Sequence, residues 1–156
     1  MAIPEVGTSA PAFALPGPDG EIVRLGDYLG KAHVVLAFYP FDFSPVCSLE
    51  LPGLQEQMQR FRDLETVILG ISTDSTHAHQ AFAAELGLEF PLLSDFYGKR
   101  VTTAYGVLRQ EGFSERATFI IDKAGIVRYA EVHDISQVPD VEELIGILET
   151  LNNDHD

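Results

Sequence analysis

Val34-Val35-Leu36-Ala37-Phe38-Tyr39-Pro40-Phe41-Asp42-Phe43-Ser44-Pro45-Val46-Cys47 passes from an unbroken apolar run, through a turn-rich stretch, into a helical pattern. The run Val34 to Tyr39 is of strand length and lacks polar alternation, which predicts a central strand covered on both faces. The helical pattern extends from roughly Pro45 to Leu64. Ser44 is placed to cap it, with Pro45 in the first helical position, where a missing N–H costs little. Pro52 and Gly53 are expected to kink that helix or end its first segment. Val67 to Ser72 then reads as a second buried strand.

Working outward, Leu15-Pro16-Gly17-Pro18-Asp19-Gly20 is dense in turn formers, and Glu21 to Leu25 alternates as a strand does. Together they predict an N-terminal β-hairpin. Downstream, a helix is expected from about Thr76 to Leu86, with Gly87 as its stop, and a short one from Tyr97 to about Tyr105. Thr118 to Asp122 and Ile126 to Val132 read as strands joined through Lys123-Ala124-Gly125. Val141 to Leu151 has helical apolar spacing, and the polar tail from Asn152 to Asp156 is expected to fray. No internal repeat or low-complexity segment interrupts the chain. Strand–helix–strand early and an antiparallel pair late predict an α/β fold of thioredoxin-like type, with a central mixed β-sheet flanked by helices. At 156 residues, one domain over 1–156 is expected.

Composition limits the function classes. A formal net charge of -14, from 24 acidic and 10 basic residues, gives no cationic footprint for phosphates or for an anionic membrane. Hydrophobic residues at 46% supply a core without metal or disulfide staples. The one cysteine cannot form an intrachain disulfide, and four-cysteine zinc sites are excluded by count. With no cationic run leading an apolar segment at the front, a cytoplasmic, reducing setting is the economical expectation.

The chemistry converges on Cys47. A buried strand ending at a helix start is where α/β sheets place ligands. In a first helical turn the backbone N–H groups lack intrahelical partners, and with the helix dipole they favour an anion there, hence thiolate over thiol. The competing reading is a structural cysteine packed as a small hydrophobe. Its company bears on the choice: Ser44 lies three residues earlier, and Pro40 can shield the sulfur without adding a competing donor. Phe38, Tyr39, Phe41, Phe43 and Val46 either line an apolar mouth or belong to the core at the strand end. His77 and His79, two apart, do not face one another on a helix, so they read as surface histidines and no metal site is expected. His33, His133 and His155 carry no motif.

These residues resemble the peroxiredoxin family. Its signature is a proline, three residues, a threonine or serine, two residues and the peroxidatic cysteine, matched here by Pro40, Ser44 and Cys47. Arg116, within Ser114-Glu115-Arg116-Ala117-Thr118-Phe119-Ile120-Ile121-Asp122, matches the family's distant arginine. Taken alone it would read as a solvated surface charge. Further similarity covers Phe13 to Gly30, Phe90 to Asp95, Ala104 to Val107 and Asp122 to Val127. The chain looks most like the one-cysteine, alkyl hydroperoxide reductase E-like branch. Related bacterioferritin-comigratory-type proteins often carry a resolving cysteine five residues on, where this chain has Pro52.

The resemblance implies a thiol-dependent peroxidase without a cofactor. Cys47 would attack hydrogen peroxide or an organic hydroperoxide, while Ser44, Arg116 and Pro40 complete the catalytic set. Val46, Phe43 and Glu50 are the further residues expected at the substrate. Glu50 reads either as the group that holds the arginine or as an ordinary helix-face charge. A fixed guanidinium beside the sulfur would favour its anion. The sulfenic acid would be reduced by an external thiol or redoxin, and a homodimer is implied. A non-catalytic thioredoxin-like redox sensor or partner-binding module is the alternative. A dithiol oxidoreductase is excluded, since Glu50 stands where its second cysteine would be.

Overall fold

The computed structural model describes residues 2–153. A two-stranded hairpin, β1 (Ala14–Pro16) with β2 (Ile22–Arg24), precedes a 3-10 turn at Leu25–Tyr28. The main sheet has five strands in the order β5-β4-β3-β6-β7: β3 His33–Phe38, β4 Thr66–Ser72, β5 Leu92–Ser94, β6 Arg116–Ile121 and β7 Val127–His133. β3, β4 and β5 run parallel, whereas β6 and β7 are antiparallel to their neighbours. The helices are α1 Cys47–Glu56, α2 Met58–Asp63, α3 Thr76–Leu86, α4 Arg100–Ala104 and α5 Val141–Asn153. This is the mixed α/β architecture that the chain predicts.

β3 is central, and every one of its residues is buried. Alternation along it divides the core. Val34, Leu36 and Phe38 join Phe119, Ile121 and Tyr105 on one side. Val35, Ala37 and Tyr39 join Ile120, Leu51, Phe82 and Leu148 on the other, where Cys47 also packs. Gly70, paired with Leu92 in β4–β5, lets that side pack closely: a Cβ there would lie 2.6 Å from Leu92 Cδ2.

Several expectations need correction. Ser44 does not cap α1 through its side chain, and Pro45 lies outside the helix. The Ser44 carbonyl accepts the Ser48 N–H at 2.9 Å, but its hydroxyl has no partner among the described residues, and the helix begins at Cys47. Pro52 neither ends α1 nor begins a new segment. Burying Leu51 and Leu54 contributes about 1.5–3 kcal/mol each, enough to offset the roughly 3 kcal/mol of an interior proline. The break falls at Gln57 instead, whose N–H turns back to the Leu54 carbonyl at 3.1 Å. α4 starts later than Tyr97 because Gly98 and Lys99 take positive φ angles of 77° and 50°. β5 escapes the hydrophobic reading of the sequence, being three residues long. Asn152 is not frayed: it continues α5, donates to the Leu64 carbonyl at 2.9 Å and meets His33 Nε2 at 3.0 Å. Residues 154 to 156, His155 included, lie outside the described residues.

Candidate active site

Sheet register and helix periodicity bring Cys47, Glu50 and Arg116 together from α1 and β6. On α1 the buried residues are Cys47, Glu50, Leu51 and Leu54, an inward stripe that carries both the thiol and a carboxylate. On β6, Phe38 pairs with Ala117, so Arg116 enters the sheet beside the point where the chain leaves β3. Ala117, Phe119 and Ile121 turn to the opposite core, and alternation sends Arg116 toward α1.

Arg116 is 1% exposed, so it is not the solvated surface charge that an isolated arginine suggests. Its Nη2 donates to Cys47 Sγ at 3.0 Å, its Nη1 donates to Glu50 Oε1, and its Nε donates to the Ile135 carbonyl at 3.0 Å. Three anchors fix the planar guanidinium, and one edge is aimed at sulfur. Glu50 is therefore the group that holds the arginine, not an open helix-face charge. Burial pushes Glu50 up to about 7, against the opposing pull of Arg116. His133, across from Arg116 in β7, is held below the ordinary imidazole range chiefly by burial.

Beside this cluster lies a mostly apolar cavity of about 250 Å³, lined by Pro40, Phe41, Ser44, Val46, Phe113, Arg116 and Ile135 among others. The Ser44 hydroxyl borders it, buried and without a hydrogen-bond partner among the described residues. Four predicted residues, Pro40, Ser44, Val46 and Arg116, thus share one wall, and Arg116 links that wall to the fully buried Cys47. Phe113 and Ile135 were not singled out from the sequence. Phe113 stacks on Phe41 with ring centroids 4.4 Å apart. Phe43 is absent from the cavity lining and packs on Phe82 at 4.9 Å, with a positive φ of 67°. Phe38 is a core residue against Tyr105 and Phe119.

His79 corrects the sequence reading most plainly. His77 is exposed, but His79 is wholly buried. Asp42, Asp74 and His79 bring ligand-type atoms within 4.8 Å of one another. Those atoms are already engaged, by Tyr39, by Ser72, by the Asp42 backbone N–H and by the Leu93 carbonyl, and they form a hydrogen-bond network.

Known proteins share this fold and much of this sequence. The model of the AhpC/TSA family matches residues 6–130. Alkyl hydroperoxide reductase E of Mycobacterium tuberculosis is 36% identical over 137 residues, covering 86% of this chain and 90% of that protein. A chloroplastic 2-cysteine peroxiredoxin of Chattonella marina is 38% identical over 156 residues, covering 94% of this chain and 80% of the relative. The crystal structure of reduced 2-Cys peroxiredoxin from Plasmodium vivax superposes with a TM-score of 0.89 at 31% identity, covering 97% of this chain and 84% of that one.

Proposed function

Since the chain belongs to the AhpC/TSA family and is a thiol-dependent peroxidase of the thioredoxin fold, we propose that Cys47 is its peroxidatic residue and that Ser44, Arg116 and Pro40 form the peroxide site around it. The observation that carries this is the Arg116 contact to Cys47 Sγ at 3.0 Å, made by a side chain that also lines the cavity. The Cys47 thiolate attacks the terminal peroxide oxygen, forming an S–O bond as the O–O bond breaks. The other oxygen leaves with a proton as water or an alcohol, and Cys47 becomes a sulfenic acid. Charge builds on the departing oxygen. The Arg116 fork, the free Ser44 hydroxyl and the N–H groups of the first helical turn are the donors that offset it. Val46 and Phe41 supply apolar wall for an organic substituent. Pro40 closes the cavity without presenting a donor that would compete for the sulfur.

Turnover uses a hydroperoxide and a thiol reductant. With Cys47 the sole cysteine, the reductant comes from outside the chain, a low-molecular-weight thiol or a redoxin. One thiol condenses with the sulfenic acid, releasing water and leaving a mixed disulfide. A second thiol then frees Cys47. We further propose a homodimer formed through exposed apolar residues next to Cys47 in the chain, Phe41, Phe43 and Leu49. A reducing cytoplasm suits such a chain, and no described helix is long and apolar enough to cross a membrane.

The test is hydroperoxide consumption by the wild-type protein and by Cys47→Ser, with and without added thiol. The wild type should turn over repeatedly with thiol, and without it should gain only oxygen on Cys47 by intact mass. Consumption no faster than that of a free thiol, or unchanged in Cys47→Ser, would refute the assignment.

A further inference from the structure

The stretch from Pro40 to Val46 carries the peroxide-site residues Pro40 and Ser44 and leads into Cys47, yet it has little regular structure of its own. Its Phe43 sits in the left-handed region, which costs a non-glycine residue about 1–3 kcal/mol and persists only where the surroundings impose it. The loop's buried anchors are centred one residue earlier. The Asp42 backbone N–H donates to Asp74 Oδ2 at 2.8 Å, beyond the end of β4. Asp42 Oδ1 accepts from the Tyr39 hydroxyl at 2.6 Å, and Oδ2 lies 2.7 Å from His79 Nδ1 on α3. Tyr39 is held well above the ordinary phenol range, chiefly by burial and then by Asp42, so it remains a donor.

The His79 hydrogen atoms follow from its partners. Nε2 lies 3.0 Å from the Leu93 carbonyl of β5, which can only accept, so Nε2 carries a proton. Across the 2.7 Å between Nδ1 and Asp42 Oδ2 a further proton is shared. His79 thus ties β5 to the loop, and its bond to Asp42 is fully buried.

We propose that His79 is a positioning residue for the peroxidase reaction: through Asp42 it holds the Pro40–Val46 loop in the geometry that presents Ser44 and Cys47 to peroxide. This rests on the peroxidase reading above. The mechanism is restraint, since a reacting geometry lost by about 1 Å costs up to about 100-fold in rate.

Two isosteric variants separate the loop bond from the body bond. Asparagine places an amide near Nδ1 and can still donate to Asp42, whereas glutamine places one near Nε2 and reaches only Leu93. The measurement is the second-order rate of Cys47 oxidation by hydrogen peroxide, beside the rate of alkylation by iodoacetamide, which needs no peroxide geometry. His79→Gln should slow peroxide oxidation about 10- to 100-fold while alkylation changes less than about threefold, and His79→Asn should recover most of the peroxide rate. Asp42→Ala removes the same bond from the loop side, together with that from Tyr39, and should slow peroxide oxidation at least as much as His79→Gln, which keeps the test available if one variant folds poorly. Equal peroxide rates in His79→Gln and wild type overturn the proposal. So does a His79→Asn defect as large as that of His79→Gln, or a parallel loss of peroxide and alkylation rates. A slow wild type would fault the peroxidase reading instead, so the two failures are distinguishable.

Discussion

Glu50→Gln offers a sharp check on the electrostatics beneath the sulfur. Glu50 is buried against Arg116, and burial raises it from 4.5 to about 7. A rise of that size is worth about 3 kcal/mol between the two protonation states. The folded state binds this proton more tightly than the unfolded chain does. The group's contribution to stability is therefore complete below about pH 4.5 and is lost as pH rises through about 7. Glutamine keeps the shape and a carbonyl acceptor for Arg116 but has no proton to lose. The stability of wild type minus that of Glu50→Gln should accordingly fall by about 3 kcal/mol across that window, with a slope no steeper than about 1.4 kcal/mol per pH unit. At a urea m-value of roughly 2 kcal/mol/M, the difference in unfolding midpoint moves by roughly 1.5 M. Urea unfolding followed by circular dichroism, with Cys47 kept reduced, reads it directly. A difference that stays flat or grows with pH would refute the reasoning, because it would mean that the arginine dominates desolvation at this carboxylate.

Arg116→Lys keeps a positive charge but replaces a planar fork that reaches Cys47, Glu50 and the Ile135 carbonyl together, so the peroxide rate should fall about 100-fold in a competition assay; a loss under about threefold would count against a geometric role for the guanidinium. Leu51→Ala, at a fully buried position one turn from Cys47, should lower stability by about 2–5 kcal/mol in urea unfolding.

The fold was legible where burial and periodicity agree. Val34 to Tyr39 announced a central strand because its unbroken apolar run suits a strand buried on both faces, and the structure buries all of β3. Arg116 could be placed only by resemblance, since its inward turn depends on alternation from Ala117 and on the register with β3, both long-range facts. Pairing His79 with His77, and not with its own helix face, hides its burial. His79, Phe82, Ala83 and Leu86 follow the i, i+3, i+4, i+7 stripe of α3, and reading that stripe would have buried it. The partner, 37 residues away at Asp42, leaves no local trace. Ser44 failed as a cap for a related reason: local propensity assigns its hydroxyl to the helix, but the fold turns the hydroxyl to the wall of a cavity.

The loop between strand and helix is fixed at both ends by buried charge or proton-sharing pairs of different kinds. Arg116 and Glu50 sit under the helix end, and His79 and Asp42 hold the strand end. Buried pairs of this sort add little net stability, because desolvation consumes most of their attraction, so geometry is the better account of their presence. Between them stands a hydroxyl, that of Ser44, whose hydrogen-bonding capacity is unspent. An unsatisfied buried polar group costs about 1–3 kcal/mol. That cost is recovered only when a ligand supplies the missing partner. Rigid ends and an unpartnered centre are what a site needs if its donors are to be in place before peroxide arrives, because reorganisation then need not be added to the barrier.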